Sequence, residues 1–82
     1  MKFTYKTNGV CSRSIDIEVE NGIVKSVVYT GGCHGNLQAV GQLVKGMKVE
    51  DVIAKLENIK CGFKDTSCPA QLALALKTIR EE

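Results

Sequence analysis

The sequence has no tryptophan, a single proline and a single histidine among its 82 residues. No stretch approaches the roughly 18 apolar residues that a membrane-spanning helix requires, so we predict no membrane partner. Eleven basic and nine acidic residues leave a net charge of only +2. A balance of this kind lacks the clustered basic surface that is typical of nucleic-acid-binding proteins, so we predict no nucleic-acid partner either.

The chain also lacks repeats, linkers and low-complexity segments, and its length suits a single domain over residues 1–82. The first residues, Met1 to Lys6, include neither an apolar run nor a small-residue cleavage site, so no signal peptide is predicted. We therefore expect a cytoplasmic protein, in which structural disulfides are rare. In such a compartment, four cysteines indicate metal ligands or redox thiols before anything else.

The first half of the sequence alternates in the manner of half-buried β-strands. Strands are predicted over residues 3–7, 14–20 and 23–30. Between the last two, Asn21-Gly22 is a strong hairpin signal, because both central residues of a type I′ turn need a positive φ. The pattern predicts a three-stranded antiparallel meander with one solvent-exposed face.

The second half has apolar residues at helical spacing. Helices are predicted from Gly35 to a C-cap at Gly46, from Val49 to Ile59, and from Pro69 onward. These helices must bury the apolar face of the sheet. The predicted fold is therefore α+β, a three-stranded antiparallel meander covered on one face by about three helices.

Each of the four cysteines falls at a junction between predicted elements. Cys11 precedes the second strand, Cys33 follows the third strand, Cys61 follows the second helix, and Cys68 precedes the last helix. A hairpin brings the chain back to the same sheet edge, so these junctions can face one centre. We predict that the four sulfurs form one metal site, with neighbours roughly 4 Å apart if they share a tetrahedral zinc. No C-x-x-C pair is present, and the alternatives are four unrelated cysteines or thiols with a redox or ligand-binding role.

The segment Gly31-Gly32-Cys33-His34-Gly35-Asn36 joins a predicted strand to a predicted helix. Backbone N–H groups that face outward from such a loop, at a helix N-terminus, form an anion site. Gly31, Gly32, Gly35 and Asn36 are therefore candidates for holding a phosphate, a cluster sulfide or an anionic cofactor. Replacing Gly32 with valine should then abolish phosphate binding in a protein that still folds. The alternative is that the glycines only form the turn.

Two neighbours of the cysteines are candidates for supporting roles. His34 follows Cys33, and Ser67 precedes Cys68. Side chains beside metal ligands often donate hydrogen bonds that orient those ligands. We predict such a role for both residues and assign neither of them a catalytic one; for His34 the alternatives are a substitute metal ligand or a surface or capping group.

The run Thr66-Ser67-Cys68-Pro69 resembles the signature of the TSCPD domain family. Cys11, the loop around Cys33 and the pair Cys61-Gly62 extend the resemblance over nearly the whole chain. This family includes small stand-alone four-cysteine proteins and a C-terminal segment of adenosylcobalamin-dependent ribonucleotide reductases. The fifth signature residue departs from the pattern, because Ala70 stands where the family has an aspartate.

The order of elements and cysteines also resembles that of IscU/NifU-type iron–sulfur scaffold proteins. The resemblance implies that Cys11, Cys33 and Cys68 bind a cluster or zinc. The aspartate after the first scaffold cysteine is absent here, and Ser67 replaces the histidine before the last one. Cys61 is additional, and its thiolate would restore a fourth ligand.

Three functions follow as expectations. The first is a small binding protein whose four cysteines hold zinc or an iron–sulfur cluster; closed four-sulfur coordination leaves no position for a substrate, so we expect no catalysis at the metal of the isolated domain. The second is a flavin- or nucleotide-binding module that uses the glycine-rich loop. The third is a thiol redox partner of a reductase such as ribonucleotide reductase. Candidate partners are a second copy of the chain, a reductase, or a protein that accepts a cluster.

Overall fold

The computed structural model describes residues 1–32, 34–60 and 66–80. Three strands, β1 (Lys2–Lys6), β2 (Ser12–Glu20) and β3 (Ile23–Gly31), are followed by three helices, α1 (His34–Val44), α2 (Val49–Leu56) and α3 (Cys68–Arg80). The strands form one antiparallel sheet in the order β1-β2-β3. The predicted α+β class and the three-stranded meander are confirmed.

The turn between β2 and β3 is the predicted one. Asn21 and Gly22 have φ angles of 53° and 76°, as a type I′ turn requires. The turn pairs Glu20 with Ile23 and Val19 with Val24, and an irregularity beyond these pairs shifts the register by one residue, so that Glu18 lies opposite Ser26. Alternate residues of β2 point inward from Ile15 to Val19, whereas the extra residue interrupts the alternation of β3. The buried apolar residues of the two strands are Ile15, Ile17, Val19, Val24 and Val27.

Helix α3 packs in one core cluster with the inner face of the sheet. Leu72, Ala73, Ala75 and Leu76 are completely buried. The helix begins at Cys68, one residue before the predicted start at Pro69. The proline is tolerated there because the first four N–H groups of a helix have no partner within it.

Two other details differ from the sequence pattern. Helix α2 ends at Leu56 instead of Ile59, and Ile59 is largely solvent-exposed. Leu43 lies at helical spacing from the core residues of α1, yet it is 76% exposed. Only a narrow stripe of α1 therefore faces the core, where Leu37 and Val44 are buried.

The free edge of β3 is covered by α1 and by the turn that follows it. A methyl group placed on Gly41 of α1 would lie 2.6 Å from the carbonyl oxygen of Val27, so the helix passes directly over the strand backbone. Beyond the helix, Gly46 adopts the predicted left-handed conformation, with a φ of 88°. Its N–H donates to Val24, and the Val24 N–H donates to Met47. The edge of β3 is therefore not left open to pair with another strand.

Candidate functional site

The start of β2, the central strand, meets the start of α3 at one end of the sheet, and a pair of cysteines lies at this contact. The Sγ atoms of Cys11 and Cys68 are 3.6 Å apart, although the two residues are 57 positions apart in the sequence. Cys11 is exposed in the connection that leads into β2. Cys68 is 7% exposed in the first turn of α3. The pair therefore joins an exposed residue to a buried one.

Ser12 holds the buried sulfur in place. Its Oγ donates a hydrogen bond of 3.2 Å to Cys68 Sγ, and its own carbonyl accepts a bond of 2.6 Å from Thr7 Oγ1. Ser12 points inward because Arg13 is an extra residue in the ladder, with Ser12 opposite Gly31 and Ser14 opposite Thr30. Strict alternation would have turned Ser12 outward, so sequence periodicity could not identify this residue.

Tyr29 packs beneath the same corner from β3. Its hydroxyl donates a hydrogen bond of 3.0 Å to the backbone carbonyl of Cys68. Burial, with a smaller contribution from the charge of Cys68, raises the pKa of the Tyr29 phenol well above its ordinary value of 10.0. The phenol therefore stays neutral and keeps its donor at physiological pH.

Ser67 has a structural role that its position before Cys68 did not reveal. Its Oγ accepts a hydrogen bond from the Ala70 N–H, which makes Ser67 the N-cap of α3. The same hydroxyl donates to the Ile59 carbonyl at 2.6 Å, so the segment after α2 is tied to the start of α3. The hydroxyl is oriented by these two bonds, and Ser12 is the serine that contacts Cys68.

A buried glutamine fastens the loop after β1 to the same helix. Gln71 is 4% exposed. Its Oε1 accepts from the Asn8 N–H and its Nε2 donates to Thr66 Oγ1, both at 3.1 Å. The loop that carries Cys11 is therefore anchored to the element that carries Cys68, through contacts in addition to the sulfurs.

Of the four residues predicted to form an anion site, only two have the geometry of a turn. Gly31 and Gly32 have φ angles of 83° and 78°, which only glycine adopts readily. Gly35 and Asn36 lie within α1, both exposed, and a methyl group on Gly35 would meet nothing within 4 Å. The predicted anion site would therefore rest on Gly31 and Gly32 for its turn geometry.

The proposed replacement of Gly32 with valine is a poor test of anion binding. A methyl group on Gly32 would lie 2.9 Å from Leu37 Cδ1 and 3.0 Å from Cys11 Sγ, in addition to the unfavourable φ. The substitution would therefore disturb the sheet edge itself. The short distance to Cys11 Sγ also shows that Gly32, directly after β3, packs against Cys11.

The remaining sequence-predicted candidates are Cys33, Cys61 and His34. Cys33 and Cys61 lie outside the described residues, as does the side chain of His34. Among residues 1–32, 34–60 and 66–80, no group of three or more cysteine, histidine or acidic side chains is placed to hold a metal. The described part of the chain thus brings together two of the four predicted ligands, Cys11 and Cys68.

The fold and the site together define a small α+β domain with a pair of cysteines where the start of β2 meets the start of α3. The TSCPD domain profile matches residues 3–80, and the chain belongs to the TSCPD domain family. The family resemblance predicted from Thr66 to Pro69 is confirmed. No curated protein and no solved structure matches the chain, so the likeness to IscU/NifU-type scaffolds is not shown. In the described ranges, no helix is long and apolar enough to cross a bilayer.

Proposed function

We propose that this protein binds zinc or an iron–sulfur cluster through one site made of Cys11, Cys33, Cys61 and Cys68. The observation that carries the proposal is the 3.6 Å separation of the Cys11 and Cys68 sulfurs. Two sulfurs at about 2.3 Å from one tetrahedral zinc lie about 3.8 Å apart. The pair therefore already has the spacing of two ligands to one metal.

Contacts made by their sequence neighbours support Cys33 and Cys61 as the other two ligands. Gly32, the neighbour of Cys33, packs against Cys11. The hydrogen bond from Ser67 to Ile59 holds the chain shortly before Cys61 beside the start of α3. Both remaining cysteines are therefore connected by short segments to residues that contact the pair or its helix.

The chemistry of the site suits a thiolate-bound metal. The Ser12 hydroxyl donates to Cys68 Sγ, and such hydrogen bonds orient metal-binding sulfurs and tune their donor strength. A bound metal would also add stability to a core built by only 82 residues. Four thiolates suit both zinc and iron–sulfur clusters, so we propose the site without choosing between them.

A flavin or nucleotide is the second candidate. A concavity of about 210 Å³ lies between β3 and α1, bordered by Tyr29, Gly31 and Leu37. Pockets for drug-sized ligands span about 300–1,000 Å³, so this one would enclose only part of such a molecule. The metal site has the more direct support.

The test is elemental analysis and an absorption spectrum of protein purified without oxygen. We expect either colourless protein with about one zinc per chain or coloured protein containing iron and sulfide. Each of the four cysteine-to-serine variants should lose metal, whereas Val28→Ser, a change on the exposed face of β3, should retain it. Reduced wild-type protein that binds neither zinc nor iron would refute the proposal, and a flavin spectrum would favour the second candidate.

A further inference from the structure

The Cys11 and Cys68 sulfurs have an asymmetry that metal binding does not require. Their separation of 3.6 Å is longer than the about 2.05 Å of a disulfide bond, so the sulfurs need to approach by about 1.5 Å to form one. Cys11 lies in a bend before β2, outside the regular strand. Cys68 is held at the start of a helix.

We propose that Cys11 and Cys68 form a reversible disulfide when the protein meets a peroxide, with Cys11 oxidised first and Cys68 as the resolving thiol. This inference concerns two sulfurs of the proposed metal site, but it does not depend on a bound metal. It assigns separate chemical roles to the two sulfurs.

Exposure decides the order of the two steps. Cys11 is an exposed residue at the surface of the domain, where a small oxidant can approach it. Cys68 is 7% exposed and lies behind Ser12, whose hydroxyl donates to Cys68 Sγ. Susceptibility of thiols to oxidation rises with exposure, and Cys11 is the more exposed residue of the two.

The reaction balances with a peroxide as the sole oxidant. The Cys11 sulfur attacks one peroxide oxygen and the O–O bond breaks, which gives a sulfenic acid on Cys11 and one water from hydrogen peroxide. The Cys68 sulfur then attacks the Cys11 sulfur, the S–S bond forms, and the hydroxyl leaves as a second water with the Cys68 proton. Two thiols lose two electrons in total, and one peroxide gains them. A dithiol or another thiol reductant reverses the change.

The bond would tie the start of β2 to the start of α3. These two elements are already held together by the Ser12–Cys68 and Asn8–Gln71 hydrogen bonds. The disulfide therefore needs no large rearrangement of the domain. It would also remove two of the four proposed metal ligands, since a disulfide sulfur is no longer a thiolate.

The test uses the full reduced chain with a chelator present and one equivalent of hydrogen peroxide. Remaining thiols are alkylated, and the linked peptides are identified by mass spectrometry. We expect a dominant Cys11–Cys68 link that has lost two hydrogen atoms and that disappears after treatment with a reductant. A dominant link that includes Cys33 or Cys61, or no disulfide at all, would overturn the inference.

Two variants test the order of the steps. Cys68→Ser should accumulate a sulfenic acid on Cys11 that a cyclic 1,3-dione traps, and Cys11→Ser should lose peroxide reactivity at Cys68. Equal reactivity of Cys68 with and without Cys11 would refute the assigned order. Circular dichroism verifies that each variant is folded, and the wild-type peptide map decides the pairing if a variant is not.

Metal content of the reduced protein is measured separately. Protein that binds no metal yet forms this disulfide would refute the proposed function and leave the inference standing. Protein that binds metal but never links Cys11 to Cys68 would refute the inference and leave the proposed function standing.

Discussion

Replacing Gly41 with alanine should destabilise the protein, although alanine is the better helix former. Gly41 lies inside α1, where the helix passes over β3, and a methyl group there would lie 2.6 Å from the Val27 carbonyl oxygen. Carbon–oxygen contacts normally begin at about 3.3 Å, so helix and strand must separate by about 0.7 Å or distort. Overpacking of this kind costs about 1–3 kcal/mol, while the gain in helix propensity returns up to about 1 kcal/mol.

The expected net loss is therefore about 0–2 kcal/mol in the free energy of unfolding, or a fall in Tm of up to about 16 °C for a domain of this size. Gly35→Ala is the matched control, because Gly35 lies in the same helix and its added methyl would meet nothing within 4 Å. That variant should be as stable as wild type or gain up to about 1 kcal/mol. Urea and thermal unfolding measure both. If Gly41→Ala were as stable as Gly35→Ala, the close packing of α1 on β3 would be refuted.

Three further predictions concern the corner where β2 meets α3. Ser67→Ala removes the N-cap and the tie to the segment after α2, so it should cost about 1–2 kcal/mol in urea unfolding, whereas the exposed Thr78→Ala should cost little. Gln71→Leu leaves a backbone N–H of the loop after β1 without its acceptor and should cost about 1–3 kcal/mol; wild-type stability would show that the buried amide is dispensable. Burial raises the pKa of Tyr29, so above pH 10.0 the unfolded chain loses the phenol proton while the folded protein keeps it. The stability that the neutral phenol contributes is therefore complete below pH 10.0 and declines as the pH rises further. Tyr29→Phe should flatten that decline in unfolding experiments above pH 10.0, and an unchanged slope would contradict the assignment.

The sheet was predictable because its signals are local. Period-two alternation and the Asn21-Gly22 turn indicate which strands pair and set the register next to the turn, and both appear directly in the sequence. The same holds for Gly46, whose left-handed conformation ends α1 as predicted. Element ends were less predictable, since α2 stops before Ile59 and α3 starts before Pro69.

The site was only partly predictable, because its details depend on departures from regular structure. Cysteines at element ends indicated a shared location, and the sulfurs of Cys11 and Cys68 do lie in contact. Ser12 reaches Cys68 only because a bulge at Arg13 shifts the alternation of β2, and no periodic pattern encodes that shift. Tyr29 and Gln71 act through contacts with residues far along the chain, which no short motif reveals.

The most direct test of the central claim is the number of sulfur atoms around the metal in metal-loaded protein, measured by X-ray absorption at the zinc or iron edge. If Cys11, Cys33, Cys61 and Cys68 share one zinc, the spectrum should show four sulfurs at about 2.3 Å and no nitrogen or oxygen ligand. If they hold a cluster, each iron should show sulfur ligands together with an iron–iron distance, and protein sulfurs should account for the outer positions. A metal bound mainly by nitrogen or oxygen, or by only two protein sulfurs, would contradict the four-cysteine site.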